Sequence, residues 1–172
     1  STFNLPSEFI LFVGTLEPRK NLAKLVEALS GQVDLPPLVV AGAQGWGDVS
    51  VAASDNVKFL GHVEERFLSG LYAAASVMAY PSLWEGFGLP VLEAMAQGTP
   101  VVTSELISTQ EVAGGAAVLV DPRSAESIQH GIRMALADKG NLSQRGLDRA
   151  AHATWSKTAQ LTAAAYDEVI AQ

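Results

Sequence analysis

Two carboxylates, Glu85 and Glu93, and one basic pair, Arg19 and Lys20, are the side chains whose types and placement suit binding or catalysis. The carboxylates bracket the loop Glu85-Gly86-Phe87-Gly88-Leu89-Pro90, which runs into an apolar pattern at Val91, Leu92, Met95 and Ala96 with helical spacing. Pro90 suits a first helical turn, where its missing N–H costs nothing, and Gly98 suits a left-handed end cap. A helix start behind a glycine loop, here at Gly88 and Leu89, offers backbone N–H groups and a positive dipole end to an anion. Phosphate needs donors and sugar hydroxyls need acceptors, and this stretch supplies both. Arg19 and Lys20 lie between a strand end and a helix start, where two cations opposed to the dipole invite a counter-anion. Residue chemistry alone leaves a plainer reading open, in which Glu93 is a surface helix residue and the glycines and prolines are ordinary turn chemistry.

Other constellations fall short of a mechanism. Gly42-Ala-Gln-Gly-Trp-Gly47 follows a strand but lacks the G-x-G-x-x-G order of a dinucleotide fingerprint, and Trp46 within it is expected to serve packing. His62-Val-Glu64 has the H-x-E order of a zinc deaminase without the cysteines that chemistry needs. Ser82 and Ser104 lack the nucleophile-elbow setting of a serine hydrolase. With no D-x-D and no histidine cluster, no metal site and no cofactor is expected.

The elements that must position these residues alternate. Phe9–Val13 is a continuous apolar run closed by Gly14, as expected of a strand buried on both faces. Leu22, Leu25, Val26 and Leu29 predict a helix with Asn21 as its N-cap and Gly31 as its stop. Strands are predicted at Pro37–Ala41, Val57–Leu60, Val77–Tyr80, Pro100–Thr103 and Ala116–Val120, with a loop at Gly42–Asp48. Phe67, Leu68, Leu71, Tyr72 and Ala75 mark a further helix, and Ser124 caps another that carries Ile128, Ile132 and Leu136. Two closing helices are predicted near Leu142–Ala153 and Trp155–Ala171. Six strands with crossover helices imply an α/β, doubly wound, mostly parallel sheet with helices on both faces. Ligands in such sheets bind beyond the carboxyl ends of the strands, where Gly14, Gly42, Gly61 and Glu85 all fall.

The chain has 172 residues, 48% hydrophobic and 17% charged, as expected of a single folded domain. Its formal charge of -7 argues against a nucleic-acid partner, which would need a basic face. The absence of cysteine excludes disulfides and thiolate chemistry. No apolar run reaches membrane-spanning length, so the expected location is cytoplasmic, or peripheral to a membrane through another segment.

Three segments resemble one family in order and spacing. Glu-Gly-Phe-Gly-Leu-Pro-Val-Leu-Glu at 85–93 resembles the E-x7-E signature of the family-four group of retaining, nucleotide-sugar-dependent glycosyltransferases with the two-domain GT-B fold. F-I-L-F-V-G-T-L-E-P-R-K-N at 9–21 and E-V-A-G-G-A-A-V-L-V-D-P at 111–122 are similar to the same family. The resemblance implies that residues 1–172 form the nucleotide-sugar donor domain, with an acceptor domain upstream of this chain. Its closing helices, about 142–171, would pack against that domain, and the chain alone would transfer nothing. The resemblance also implies that Lys20, assisted by Arg19, grips the donor diphosphate, with the N–H groups of Gly88 and Leu89 stabilising it as it leaves, and that Gly14, Thr15, Gly86 and Phe87 belong to the donor-binding site. Glu93 would accept the ribose hydroxyls, backbone near Val63 would meet the base, and Glu85 would hold the sugar, with Glu85 and Lys20 as the catalytic pair. Thr15 departs from the family, many members of which carry arginine there. That departure either shifts electrostatic duty to Arg19 or leaves the phosphate grip weaker.

Two readings of other classes stand beside this one. The first is a non-catalytic nucleotide or nucleotide-sugar binding module on the same fold. The second is an α/β interaction domain without a ligand, since fold does not fix function.

Overall fold

A computed structural model describes residues 3–47, 49 and 56–170. Asp48, the end of the expected second loop, and Ala171, the end of the last expected helix, lie outside the described residues. The strands are β1 (Ile10–Val13), β2 (Leu38–Ala41), β3 (Val57–Gly61), β4 (Val77–Tyr80), β5 (Val101–Ser104) and β6 (Val118–Val120). The helices are α1 (Leu22–Leu29), α2 (Glu65–Ala74), α3 (Leu89–Ala96), α4 (Ile107–Ala113), α5 (Ala125–Ala137), α6 (Lys139–Ala151) and α7 (Trp155–Ile170). A 3-10 turn, Pro18–Lys20, precedes α1.

The strands form one sheet in the order β3-β2-β1-β4-β5-β6, with every pairing parallel. The expected "mostly parallel" sheet is therefore wholly parallel. Strand order reverses between β1 and β4, and a crevice at such a switch point is where doubly wound sheets receive ligands. Alternation along the strands divides the core between the two faces. Ile10, Phe12, Leu38, Val40, Val77 and Ala79 pack with Leu22 and Leu25 of α1 and Ile128 and Ile132 of α5. Leu11, Val13, Val39, Met78 and Tyr80 pack with Tyr72 of α2, Val91 and Met95 of α3 and Val112 of α4. Both faces of β1, β2 and β4 are buried, which is why they read as unbroken apolar runs.

Three expectations are corrected. Asn21 occupies the N-cap position of α1, but its side chain does not cap the helix. It takes a left-handed backbone, φ 62°, and its amide donates to the carbonyls of Pro81 at 2.9 Å and Pro122 at 2.7 Å. One side chain thereby ties together the loops that follow β1, β4 and β6. Trp46 does not pack, its side chain being 64% exposed. Helix α4 was not anticipated at all. Ser124, by contrast, caps α5 as expected, accepting from the N–H of Ser127 at 3.1 Å.

Candidate functional site

Because every strand runs the same way, Gly14, Gly42, Gly61 and Glu85 reach one edge of the sheet. The β1–β2 pairing continues past the strand ends into the loops. Gly14 N–H donates to Ala41 O at 3.0 Å, Leu16 N–H to Ala43 O at 2.9 Å, and Gly45 N–H to Leu16 O at 3.2 Å. Gly42 lies directly against Gly14, where a Cβ would come within 1.9 Å of the Gly14 carbonyl oxygen. That pairing carries the backbone from Gly14 to Pro18 over the sheet edge and aims the following turn, with Arg19 and Lys20, across the switch point. Arg19 O then accepts from Leu83 N–H at 2.8 Å, which locks this turn to the loop after β4.

The result is a compact charged cluster. Lys20 is buried, and its ammonium donates to Glu85 Oε1 at 2.7 Å and to the Tyr80 hydroxyl. The same ammonium stands 4.8 Å from the centre of the Tyr80 ring. Arg19 Nη1 reaches Glu85 Oε2 at 3.0 Å, and its Nε reaches Glu17 Oε2 at 2.8 Å. The Glu85 side chain is 6% exposed. Two cations and two carboxylates here balance by count, so the cluster is neutral before any ligand arrives. Each cation nevertheless keeps donors in reserve. An ammonium has three N–H groups and a guanidinium five, and the bonds above use only some of them.

Burial is the largest single influence and pushes the Glu85 carboxyl up, but the hydrogen bonds it accepts, that from Lys20 foremost, and the Lys20 charge together outweigh it and hold the group below its ordinary value. A folded-state value below the unfolded one contributes stability that is present at neutral pH and lost as pH falls through the folded value. Glu85→Gln should therefore show a shallower loss of urea midpoint than the parent chain when pH is lowered through the carboxylate range, near about pH 4. Identical acid slopes for the two would refute this account of Glu85.

Gly88 precedes α3 at φ 101°, a conformation that glycine tolerates and other residues rarely adopt. No side chain caps α3; Pro90 has no N–H and Val91 N–H donates to Gly88 O at 3.0 Å, so the N–H of Leu89 is the first-turn donor without such a partner. Glu93 lies one turn along the same helix, and its Oε2 accepts from the hydroxyl of Tyr72 at 2.8 Å. Glu85 and Glu93 thus belong to different clusters, one with Lys20 and Arg19, the other with Tyr72. Val63 is buried in the core, His62 beside it is exposed, and Phe87, Leu89 and Trp84 are exposed around the loop.

An apolar groove of about 560 Å³ borders Glu93, lined by Phe87, Leu92, Ala150 and Trp155 among others. Glu93 is its one charged lining residue, so the groove is suited to apolar groups, and the cations Lys20 and Arg19 do not line it. Sequence reasoning missed Tyr72 and Tyr80 as partners of the site, because both read as core aromatics. It also missed Asn21 as the tie between loops. Ser104, read as non-catalytic, donates to Ser82 O at 2.6 Å inside the core. Among the described residues no group of histidines and carboxylates is placed to hold a metal ion, and no helix is long and apolar enough to cross a membrane.

The chain is similar to proteins of known activity along most of its length. It is 37% identical over 172 aligned residues to O-antigen chain mannosyltransferase B of Escherichia coli, covering 92% of this chain and 45% of that protein. It is 31% identical to the D-inositol 3-phosphate glycosyltransferase of Mycobacteroides abscessus, covering 95% of this chain and 40% of that one. Among solved structures, sucrose-phosphate synthase from Thermosynechococcus elongatus superposes with a TM-score of 0.84 at 29% identity, over 99% of this chain and 48% of the other. The chain therefore spans just under half the length of these relatives. The family model for glycosyl transferases group 1 matches residues 1–153, a range that includes β1 through β6 and every residue of the charged cluster. On that match and those identities, the protein belongs to the glycosyl transferases group 1 family.

Proposed function

We propose that this chain is the donor-binding domain of a retaining, metal-independent glycosyltransferase that moves a sugar from a nucleoside diphosphate to an acceptor. As the bond between sugar and phosphate breaks, negative charge collects on the leaving diphosphate and positive charge on the sugar ring. Lys20, Arg19 and the N–H groups of Gly88, just before α3, and Leu89, its first residue, answer the first charge without a metal. Gly14, Thr15, Gly86 and Phe87 shape the cradle, with the Lys20 stem passing directly over Gly14, its Cε 3.6 Å from where a Cβ would be. Glu93 takes the ribose hydroxyls, backbone near Val63 meets the base, and Glu85 orients the sugar over the diphosphate.

One observation carries this reading. Lys20 and Arg19 are held on Glu85 at the same sheet edge as the uncapped start of α3, so donors for phosphate and an acceptor for hydroxyls meet in one place. The exposed apolar side of α7, with Trp155 78% exposed and no residue of the helix buried, supports a second domain packing there to bring the acceptor. The mannosyltransferase relative makes a hexose donor the first to test.

Titration calorimetry with uridine and guanosine diphosphates, each with and without EDTA, tests the proposal. Binding of at least one of them, unchanged by the chelator, is the expected result. Binding that disappears with EDTA, or none with either nucleotide, would overturn it.

A further inference from the structure

Tyr72 lies on α2, outside all three segments that carry the family resemblance, yet its hydroxyl donates to the Glu93 carboxylate. Its ring is 2% exposed and packs in the core beneath α3, and its carbonyl accepts from Thr99 Oγ1 at 2.7 Å. The ring is thus held from below and along its backbone, while the hydroxyl alone emerges at the boundary where Glu93 stands. Packing does not explain that hydroxyl, since phenylalanine would fill the same space without a polar atom to satisfy. Nor does Glu93 need it for solvation, being exposed on the outer side of a short helix. What the bond does is choose a rotamer. A free glutamate side chain samples many conformers and loses that freedom on gripping a ligand, whereas one held at Oε2 has lost it beforehand.

We propose that Tyr72 is a positioning residue that fixes the Glu93 carboxylate edge-on, with Oε2 held by the phenol and Oε1 left to accept from the ligand. The inference rests on the reading of Glu93 as the acceptor of ribose hydroxyls. The phenol serves only as donor in this pair. Burial pushes its ionisation well above the ordinary tyrosine value, and the Glu93 charge pushes it in the same direction, so the proton stays in place across the working pH range. Fixing one oxygen of the carboxylate makes the site sensitive to where the two hydroxyls of a ribose lie, so the pair acts on specificity as well as affinity.

The test is a double-mutant cycle on the 172-residue chain, Tyr72→Phe and Glu93→Gln singly and together. The ligands are uridine diphosphate and its 2′,3′-dideoxy analogue, with the guanosine pair run in parallel. Tyr72→Phe keeps the buried ring, and an unchanged urea midpoint identifies it as folded. The expected result is a three- to tenfold loss of affinity for the ribonucleotide, none for the dideoxy analogue, and no further loss when Tyr72→Phe is added to Glu93→Gln. Equal losses for both ligands, or losses that multiply in the double variant, would make Tyr72 merely structural and overturn the proposal. If Glu93→Gln itself fails to discriminate ribose from dideoxyribose, the reading of Glu93 falls and this inference falls with it. If Glu93→Gln discriminates while Tyr72→Phe does not, only the inference falls.

Discussion

Lys20→Ala is expected to weaken nucleoside diphosphate binding by roughly 10- to 100-fold, the equivalent of the 1.5–3 kcal/mol carried by a hydrogen bond to a charged group. The position of Lys20 is what makes the effect large. Its ammonium is buried between Glu85 and Tyr80, so no surface lysine can substitute for it and salt screens it little. The chain as a whole repels anions at a formal charge of -7, so binding must come from local donors. Glu85→Gln supplies the opposite sign. It removes one negative charge from a cluster that is neutral by count, and diphosphate should bind at least as tightly as to the parent chain. Calorimetry on both variants decides the matter. A Lys20→Ala chain that binds within twofold of the parent would place the diphosphate elsewhere.

Gly42→Ala should be the most damaging small substitution among the glycines at this edge. Its Cβ would sit 1.9 Å from Gly14 O and 2.7 Å from Gly14 C, and both are backbone atoms that no rotamer change can move. Overpacking of this kind costs about 1–3 kcal/mol, and more where the backbone itself must yield. The loop from Gly14 to Lys20 must then lift off β2, so stability and diphosphate binding should fall together. Gly70→Ala in α2 is the control, because a Cβ there meets nothing within 4 Å and alanine favours the helix by about 0.8–1 kcal/mol. Urea denaturation of the three chains gives the comparison. A Gly42→Ala midpoint equal to that of the parent would show that the two loops are not held in this contact.

Much of the fold was legible because its signals are local. β1, β2 and β4 are apolar runs closed by glycine or proline, and α3 carries its own start and stop in Gly88, Pro90 and Gly98, the last at φ 72°. Alternation of strand and helix then implies a parallel sheet, since a parallel neighbour needs a crossover. Helix α4 escaped notice for an equally local reason. It has seven residues and buries only Thr109, Val112 and Ala113, too short a pattern for helical periodicity to register.

The residue types of the site were also legible, because glycine loops, paired cations and carboxylates at a helix start have few uses together. Their partnerships were not. Lys20 meets Glu85 across 65 positions of sequence, Asn21 meets Pro122 across 101, and Tyr72 meets Glu93 across 21. Asn21 shows why such pairs are hidden. Its type and place predict a helix cap, yet two distant carbonyls compete for the same amide and win once the sheet has brought them near. By itself the sequence determined which segments fold as strands and helices and which side chains can carry charge to an edge, since both depend on neighbours along the chain. Only the tertiary structure decided that β1 and β4 lie side by side, and so which cation faces which carboxylate, because that contact exists only after the intervening chain has been wound around the sheet.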